Sequence, residues 1–143
     1  MTTERTFVDD TRGAILRDAP DSVILKVNDN FTVGIPDLLI FEAGRTFALE
    51  LKATRTLPRD PDSPRWLDHP LSSTQCNMLR KLAANQVVSF ALIRVLKTAE
   101  IWALKAYFCI PDLSYNHVRA NGFQISLAPG LLDRLSHLHR SPT

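Results

Sequence analysis

Ionisable side chains occur within two apolar runs that otherwise suit a protein interior, and three of them could do chemistry together. Asp37 begins the run Asp37–Glu42, and Glu50 and Lys52 lie inside the run Thr46–Ala53. Side chains alternate across a β-strand, so Glu50 and Lys52 point to the same face of the second run. Acids and a lysine grouped on a half-buried surface could bind a divalent cation and move the proton of a water molecule.

The two runs predict a β-hairpin. Their length and their content of leucine, isoleucine and phenylalanine are typical of strands. Ala43–Arg45 separates them, and Gly44 in this segment can adopt the positive φ that a tight turn requires.

The length of the turn sets the register of the hairpin. With a two-residue loop, Glu42 pairs with Arg45 and Asp37 lies directly opposite Glu50, with Cβ atoms ~5 Å apart. Two carboxylates at that distance repel each other unless a cation lies between them, which predicts a magnesium or manganese site. A three-residue loop or a bulge would instead place Asp37 opposite Leu51.

The spacing of these residues resembles the signature of the PD-(D/E)XK nuclease superfamily. A Pro-Asp pair is followed, thirteen residues after the aspartate, by Glu-x-Lys. The residues that carry the similarity are Pro36, Asp37, Glu50, Leu51 and Lys52, with Gly34, Ile35, Ala53, Ser72 and Gln75 around them. The combination is most similar to the VRR-NUC and Holliday-junction-resolvase-like branches, which are common in phages and bacteria, and it covers roughly residues 4–96.

This resemblance implies an α/β fold with a restriction-endonuclease-like core, in which a mixed central β-sheet is flanked by helices. It implies a Mg²⁺- or Mn²⁺-dependent endodeoxyribonuclease that hydrolyses phosphodiester bonds. The expected partner is duplex or branched DNA, such as a Holliday junction in recombination or repair. Cutting the two strands of a junction together would need a symmetric homodimer.

The resemblance also gives roles to individual residues. Asp37, Glu50 and the carbonyl of Leu51 would hold one or two metal ions, which would activate the attacking water and neutralise charge on the phosphate. Lys52 would orient that water or help to deprotonate it, since the pKa of a lysine responds to burial. Gln75 would line the site.

A helix is predicted over Thr3–Asp18, and Glu4 lies near the middle of its apolar face. An acid in the first turn can simply complement the helix dipole. In the resembling superfamily, however, the helix before the first strand often supplies a third carboxylate to the metal. Glu4 is the best match for that ligand, and Asp9 and Asp10 on the flanks are the alternatives.

A second helix is predicted from Ser72 to about Asn85, with Ser72 and Gln75 spaced as a capping box. The helical wheel also turns the Gln75 amide inward. Arg80 and Lys81 are expected to face outward and contact phosphate.

The segment 54–71 contains four prolines and no apolar periodicity, which predicts a long loop. Three of its cations could contact phosphate: Arg55, Arg59 and Arg65. Trp66 and His69 could contact a base or sugar, although an aromatic in such a loop more often fastens it to the protein body.

The remaining apolar runs predict strands over Ser22–Asn28, Val87–Leu96 and Glu100–Cys109 and a C-terminal helix over Pro129–His139. The run Val87–Leu96 is almost continuously apolar, which is typical of a central strand buried on both faces. The helix before it predicts a parallel crossover from the preceding strand.

Composition is that of one globular domain of 143 residues, with a core over about 3–110 and a C-terminal extension over 111–143. A net charge of +2 permits DNA binding without arguing for it. Cys76 and Cys109 are too few for a disulfide scaffold and receive no role. Without an apolar run of about 20 residues or a signal-peptide pattern, a cytoplasmic protein that does not contact membrane is expected.

A second hypothesis comes from a different class of protein. The chain could be a catalytically inactive nuclease-like protein that only binds nucleic acid or another protein. Asp37, Glu50 and Lys52 would then form a structural ion cluster, of a kind known in protein cores. The presence of all three residues favours the enzyme.

Overall fold

The protein is built on a mixed β-sheet with helices on both faces. In the computed structural model, residues 3–27 and 34–142 are described, and they form six strands and four α-helices. The strands are β1 (Val23–Lys26), β2 (Leu38–Glu42), β3 (Arg45–Thr54), β4 (Val88–Val95), β5 (Glu100–Lys105) and β6 (Phe123–Ile125). The helices are α1 (Thr3–Asp18), α2 (Ser73–Ala84), α3 (Tyr115–Asn121) and α4 (Leu131–Arg140).

The strands lie in the sheet in the order in which they occur in the chain. β3 and β4 are parallel, as the predicted crossover through α2 requires, and the other neighbouring pairs are antiparallel. The expected α/β fold with a mixed central sheet is therefore confirmed. Among the described residues, no helix has the length and apolar character needed to cross a membrane.

The two faces of the sheet are packed by different helices. On one face Leu49 and Leu51 of β3 pack with Phe7 of α1 and Leu135 of α4. On the other face Ile93 of β4 belongs to a cluster that includes residues of α2, α3 and the loop after β3. Glu50 and Lys52 point to this second face because they alternate with Leu49 and Leu51.

The turn between β2 and β3 has the predicted two-residue form. Glu42 pairs with Arg45, and both turn residues have positive φ, 48° at Ala43 and 79° at Gly44. The ladder continues to the pair Leu38 and Leu49. One step further along the same register, Asp37 reaches the level of Glu50.

The predicted boundaries of the other helices and strands agree with the structure in some places and differ from it in others. The predicted helix has the observed bounds of α1, whereas the strand predicted over Ser22–Asn28 is limited to β1. Asn28, the predicted end of that strand, lies outside the described residues. The strand predicted to reach Cys109 is wrong beyond Lys105, because the chain turns into a short 3₁₀ helix in which the Cys109 N–H donates to the Ala106 carbonyl at 3.2 Å.

Within the predicted C-terminal extension, residues 111–142 contribute a strand to the sheet and a helix to the core. β6 pairs with β5, and α4 buries Leu131, Leu132 and Leu135 in the larger core cluster. α4 begins at Leu131, where Gly130 takes a left-handed conformation, and not at the predicted Pro129.

Candidate active site

The two acids of the hairpin meet where β2 begins. Glu50 is 2% exposed, and its carboxyl group is hydrogen-bonded to that of Asp37. Asp37 also accepts a hydrogen bond from the backbone N–H of Leu51 at 2.8 Å from its Oδ2 atom. The strand register and this backbone contact together hold the two carboxyl groups side by side, with Glu50 buried and Asp37 half-buried.

Glu50 is in an environment that disfavours its charge. Burial raises the pKa of Glu50 well above its usual range, and the hydrogen bond and charge of Asp37 raise it further. The positive charge of Lys52 acts in the opposite direction but does not compensate. The acid pair therefore keeps a proton that a divalent cation could replace.

Gln75 performs both of the roles that its position suggested. Its backbone N–H donates to Ser72 Oγ and its Oε1 accepts from the Ser72 N–H, each at 3.0 Å, which completes the capping box of α2. Its Nε2 donates to Glu50 Oε1, also at 3.0 Å. The start of α2 is thereby attached to the buried acid of β3.

Gly34 lets the chain approach Asp37 past the first turn of α2. Its φ is +89°, and a Cβ atom there would lie 2.7 Å from Thr74 Cγ2 and 2.9 Å from the Thr74 carbonyl oxygen. Only glycine fits this contact without displacement, since backbone would have to move.

Lys52 is 5% exposed on the same face of β3 as Glu50. Among the described residues, no carboxylate lies within ion-pair distance of its ammonium group. Burying a cation without such a partner is costly. The arrangement is therefore better suited to receiving an anionic ligand than to stabilising the fold.

Glu4 faces the same region from α1. It lines a cavity of about 290 Å³ together with Asp37 and Lys26, and its charge contributes to the raised pKa of Glu50. Its Oε2 atom lies 2.6 Å from Nδ1 of His69 in the loop after β3. Nothing in the sequence pattern indicated this contact, because the two residues are far apart in the chain.

The alternatives for the third carboxylate are engaged elsewhere. Asp9 lies 3.4 Å from the Lys26 ammonium, and Asp10 lies 2.7 Å from a guanidinium nitrogen of Arg94. Both acids are about half exposed. Of the three acids, Glu4 is the best placed to act as the third carboxylate.

The donor set suits a hard cation in part. Asp37 and Glu50 provide paired carboxylate oxygens, the ligand type that magnesium and manganese prefer. Within the described part of the chain, however, no group of three or more acidic, histidine or cysteine side chains is arranged to hold a metal ion. Ligation by Glu4 and by the Leu51 carbonyl therefore remains a prediction.

The cations expected to contact phosphate are in two situations. Four of them are exposed: Arg55, Arg59, Arg65 and Lys81. The prediction that Arg80 faces outward is wrong, because its side chain is half-buried and donates to the Cys109 carbonyl. The guanidinium thus provides a hydrogen-bond donor for a backbone carbonyl just after the 3₁₀ helix that follows β5.

The loop over 55–72 is fastened to the protein body. Trp66 is 7% exposed, and its Nε1 donates to the Leu113 carbonyl at 2.8 Å while its ring meets Tyr115 edge-on. The Asp68 N–H donates to the Ala53 carbonyl at 3.3 Å. The expectation that Trp66 fastens this loop is confirmed.

Cys76 and Cys109 are free and buried. His137 is exposed on α4, while His139 is half-buried with its ring 6.5 Å from that of Phe90.

The fold is similar to that of a solved Holliday junction resolvase, Hjc from the archaeal hyperthermophile Archaeoglobus fulgidus. The TM-score is 0.54 at 13% sequence identity, and the match covers 85% of this chain and 92% of that chain. At this level of identity the likeness shows the fold alone, a restriction-endonuclease-like mixed sheet flanked by helices. No family model matches the sequence, and no curated protein matches it either.

Proposed function

We propose that the protein is a Mg²⁺- or Mn²⁺-dependent endodeoxyribonuclease. The observation that carries the proposal is that Asp37, held by the Leu51 N–H, lies against buried Glu50, with buried Lys52 two residues further along the same strand face. The fold likeness to a junction resolvase supports a nuclease. A bound divalent ion would supply water activation and neutralise charge on the scissile phosphate.

The side chains of the site would divide the remaining work. Asp37 and Glu50 would give up their shared proton and present oxygens to the ion, with the Leu51 carbonyl beside them. Gln75 would hold Glu50 in one orientation through its amide. Lys52 would position the attacking water and stabilise negative charge on the phosphate as it is attacked.

The substrate proposed is DNA, in duplex or branched form. The exposed cations Arg55, Arg59, Arg65 and Lys81 would contact its backbone phosphates. Branched DNA is favoured by the fold likeness to a Holliday junction resolvase, and symmetric cutting of a junction would require a homodimer. We further propose that the protein belongs to the VRR-NUC or Holliday-junction-resolvase-like branch of phages and bacteria. It would act in the cytoplasm.

The rival hypothesis is a nuclease-like protein that only binds. It needs Lys52 to compensate the acids as a structural ion cluster. The described residues give Lys52 no ion pair with either acid. This geometry favours the enzyme, since a compensated cluster would place opposite charges in contact.

A cleavage assay separates the two. Labelled linear, nicked, flapped and four-way-junction DNA would be incubated with wild type or with Asp37→Asn, in magnesium, manganese or EDTA. We expect cleavage by wild type in either metal and none in EDTA or with the variant. Binding without cleavage of any substrate would favour the rival.

A further inference from the structure

The contact between Glu4 and His69 joins two distant parts of the chain at the edge of the site. The Glu4 side chain is 20% exposed and the His69 side chain 70% exposed, with Oε2 and Nδ1 at 2.6 Å. An imidazole N–H donating to a carboxylate at this distance is a short, charge-assisted hydrogen bond. Such a bond fixes the direction in which the carboxylate points.

The bond uses one oxygen of Glu4 and leaves the other available. Oε1 has no hydrogen-bond partner among the described residues. Glu4 also shares its cavity with Asp37 and acts electrostatically on Glu50. The carboxylate is thus held beside the acid pair with one oxygen unused.

His69 is itself held in place by the fastened loop. Its neighbour Asp68 is hydrogen-bonded to the carbonyl of Ala53, the residue after Lys52 in β3. Trp66 is buried three residues earlier, and Leu71 is 2% exposed two residues later. The imidazole is therefore presented to α1 from a segment anchored on both sides and tied to the catalytic strand.

We propose that His69 is a positioning residue of the metal site, holding Glu4 at the mouth of the cavity so that its second oxygen can bind the ion. The inference rests on the proposed metal-dependent function. Without His69, the glutamate in the first turn of α1 would be repelled by the two other acids and turn toward solvent. Outer partners that orient a ligand in this way typically change metal affinity by 10–100-fold.

The test measures Mn²⁺ binding by isothermal titration calorimetry, without DNA. We expect His69→Ala to weaken Mn²⁺ binding by about 10-fold or more. His69→Asn should restore most of the affinity, because its amide N–H can donate from near the position of Nδ1. His137→Ala is the matched control, since it removes an exposed histidine from α4, and it should bind Mn²⁺ like wild type.

A double variant tests whether His69 acts through Glu4. If it does, Glu4→Gln with His69→Ala should bind Mn²⁺ no more weakly than Glu4→Gln alone. Wild-type affinity in His69→Ala, tighter binding, or additive losses would each overturn the role of His69 while leaving the nuclease proposal intact. Failure of wild type to bind Mn²⁺ would overturn both proposals.

Discussion

The hairpin of β2 and β3 has a cluster of ionisable side chains at each end. The two clusters differ in whether opposite charges or two acids are in contact. At the turn, Arg45 lies 2.6 Å from Glu42 and 2.9 Å from Asp133 of α4, so opposite charges meet at a partly exposed surface. At the other end, half-buried Asp37 and buried Glu50 meet as two acids, and the pKa of Glu50 is raised so that the pair keeps a proton. Both clusters follow from one strand register.

The difference distinguishes an arrangement that stabilises the fold from one that the proposed metal ion would stabilise. The hydrogen bonds that Arg45 donates to Glu42 and Asp133 and the charges of these two acids raise the pKa of Arg45, so they favour its charged form. Burial and Asp37 disfavour the charged form of Glu50. Of these two clusters, a bound cation would stabilise only the acid pair, because it would favour the charged form of Glu50.

The largest effect on cleavage is expected from substitutions in the acid pair. Asp37→Asn or Glu50→Gln should abolish metal-dependent cleavage, because the paired carboxylates are lost. The melting temperature in EDTA at neutral pH should hold or rise, since the folded chain no longer has to keep a proton that the unfolded chain releases. Calorimetry and a DNA digest on the same preparations check this. Loss of cleavage with unfolding would favour the structural cluster.

Lys52 tests whether the buried cation belongs to the chemistry. Lys52→Ala should lower the single-turnover cleavage rate by about 10²–10⁴-fold, as is typical when a positioned proton-transfer group is removed. DNA affinity should change little, because one phosphate contact among several contributes modestly. Lys52→Arg should not restore the rate, given its planar group and fixed protonation. Normal cutting by the alanine variant would exclude Lys52 from the mechanism.

The pH dependence of stability should differ between the two ends. Because folding raises the pKa of Glu50 above its ordinary 4.5, its contribution is fully present below that pH and is lost as the pH rises. The loss is about 1.4 kcal/mol per pH unit while only the folded acid holds the proton. Urea unfolding in EDTA from pH 5 to 9 should show this decline in wild type and not in Glu50→Gln. Magnesium should reduce it at alkaline pH, and a flat wild-type profile would contradict the assignment.

The smallest effect is expected at the turn. Arg45→Ala should cost at most about 1 kcal/mol of unfolding free energy, as for other partly exposed ion pairs. The cleavage rate should stay at the wild-type value, which makes this variant the control for the acid-pair substitutions. A rate loss comparable to that of Glu50→Gln would mean that the two ends are not independent.

The parts predicted from the sequence are those that local rules determine. The turn residues and strand alternation gave the register that places Asp37 beside Glu50, and apolar periodicity gave α1 with its observed bounds. The capping box at Ser72 could be predicted for the same reason. Each depends on residues close together in the chain.

The parts that were missed depend on tertiary contacts. β6 has three residues and forms by pairing with β5, and α3 has only seven. The inward turn of Arg80 depends on a carbonyl that is exposed only where β5 ends early. The bond from His69 to Glu4 spans 65 residues. No local pattern records such pairings.

Gly34 bears on how relatives of this chain can be found. It carries no chemical group, yet its contact with Thr74 leaves no room for a side chain beside the residue that precedes Gln75. A glycine three positions before the first acid is therefore a steric requirement for any chain that joins these elements in the same way. Where overall identity is too low to align, a search for Gly-x-Pro-Asp followed by Glu-x-Lys and a helix beginning Ser-x-x-Gln should retrieve chains that share this site.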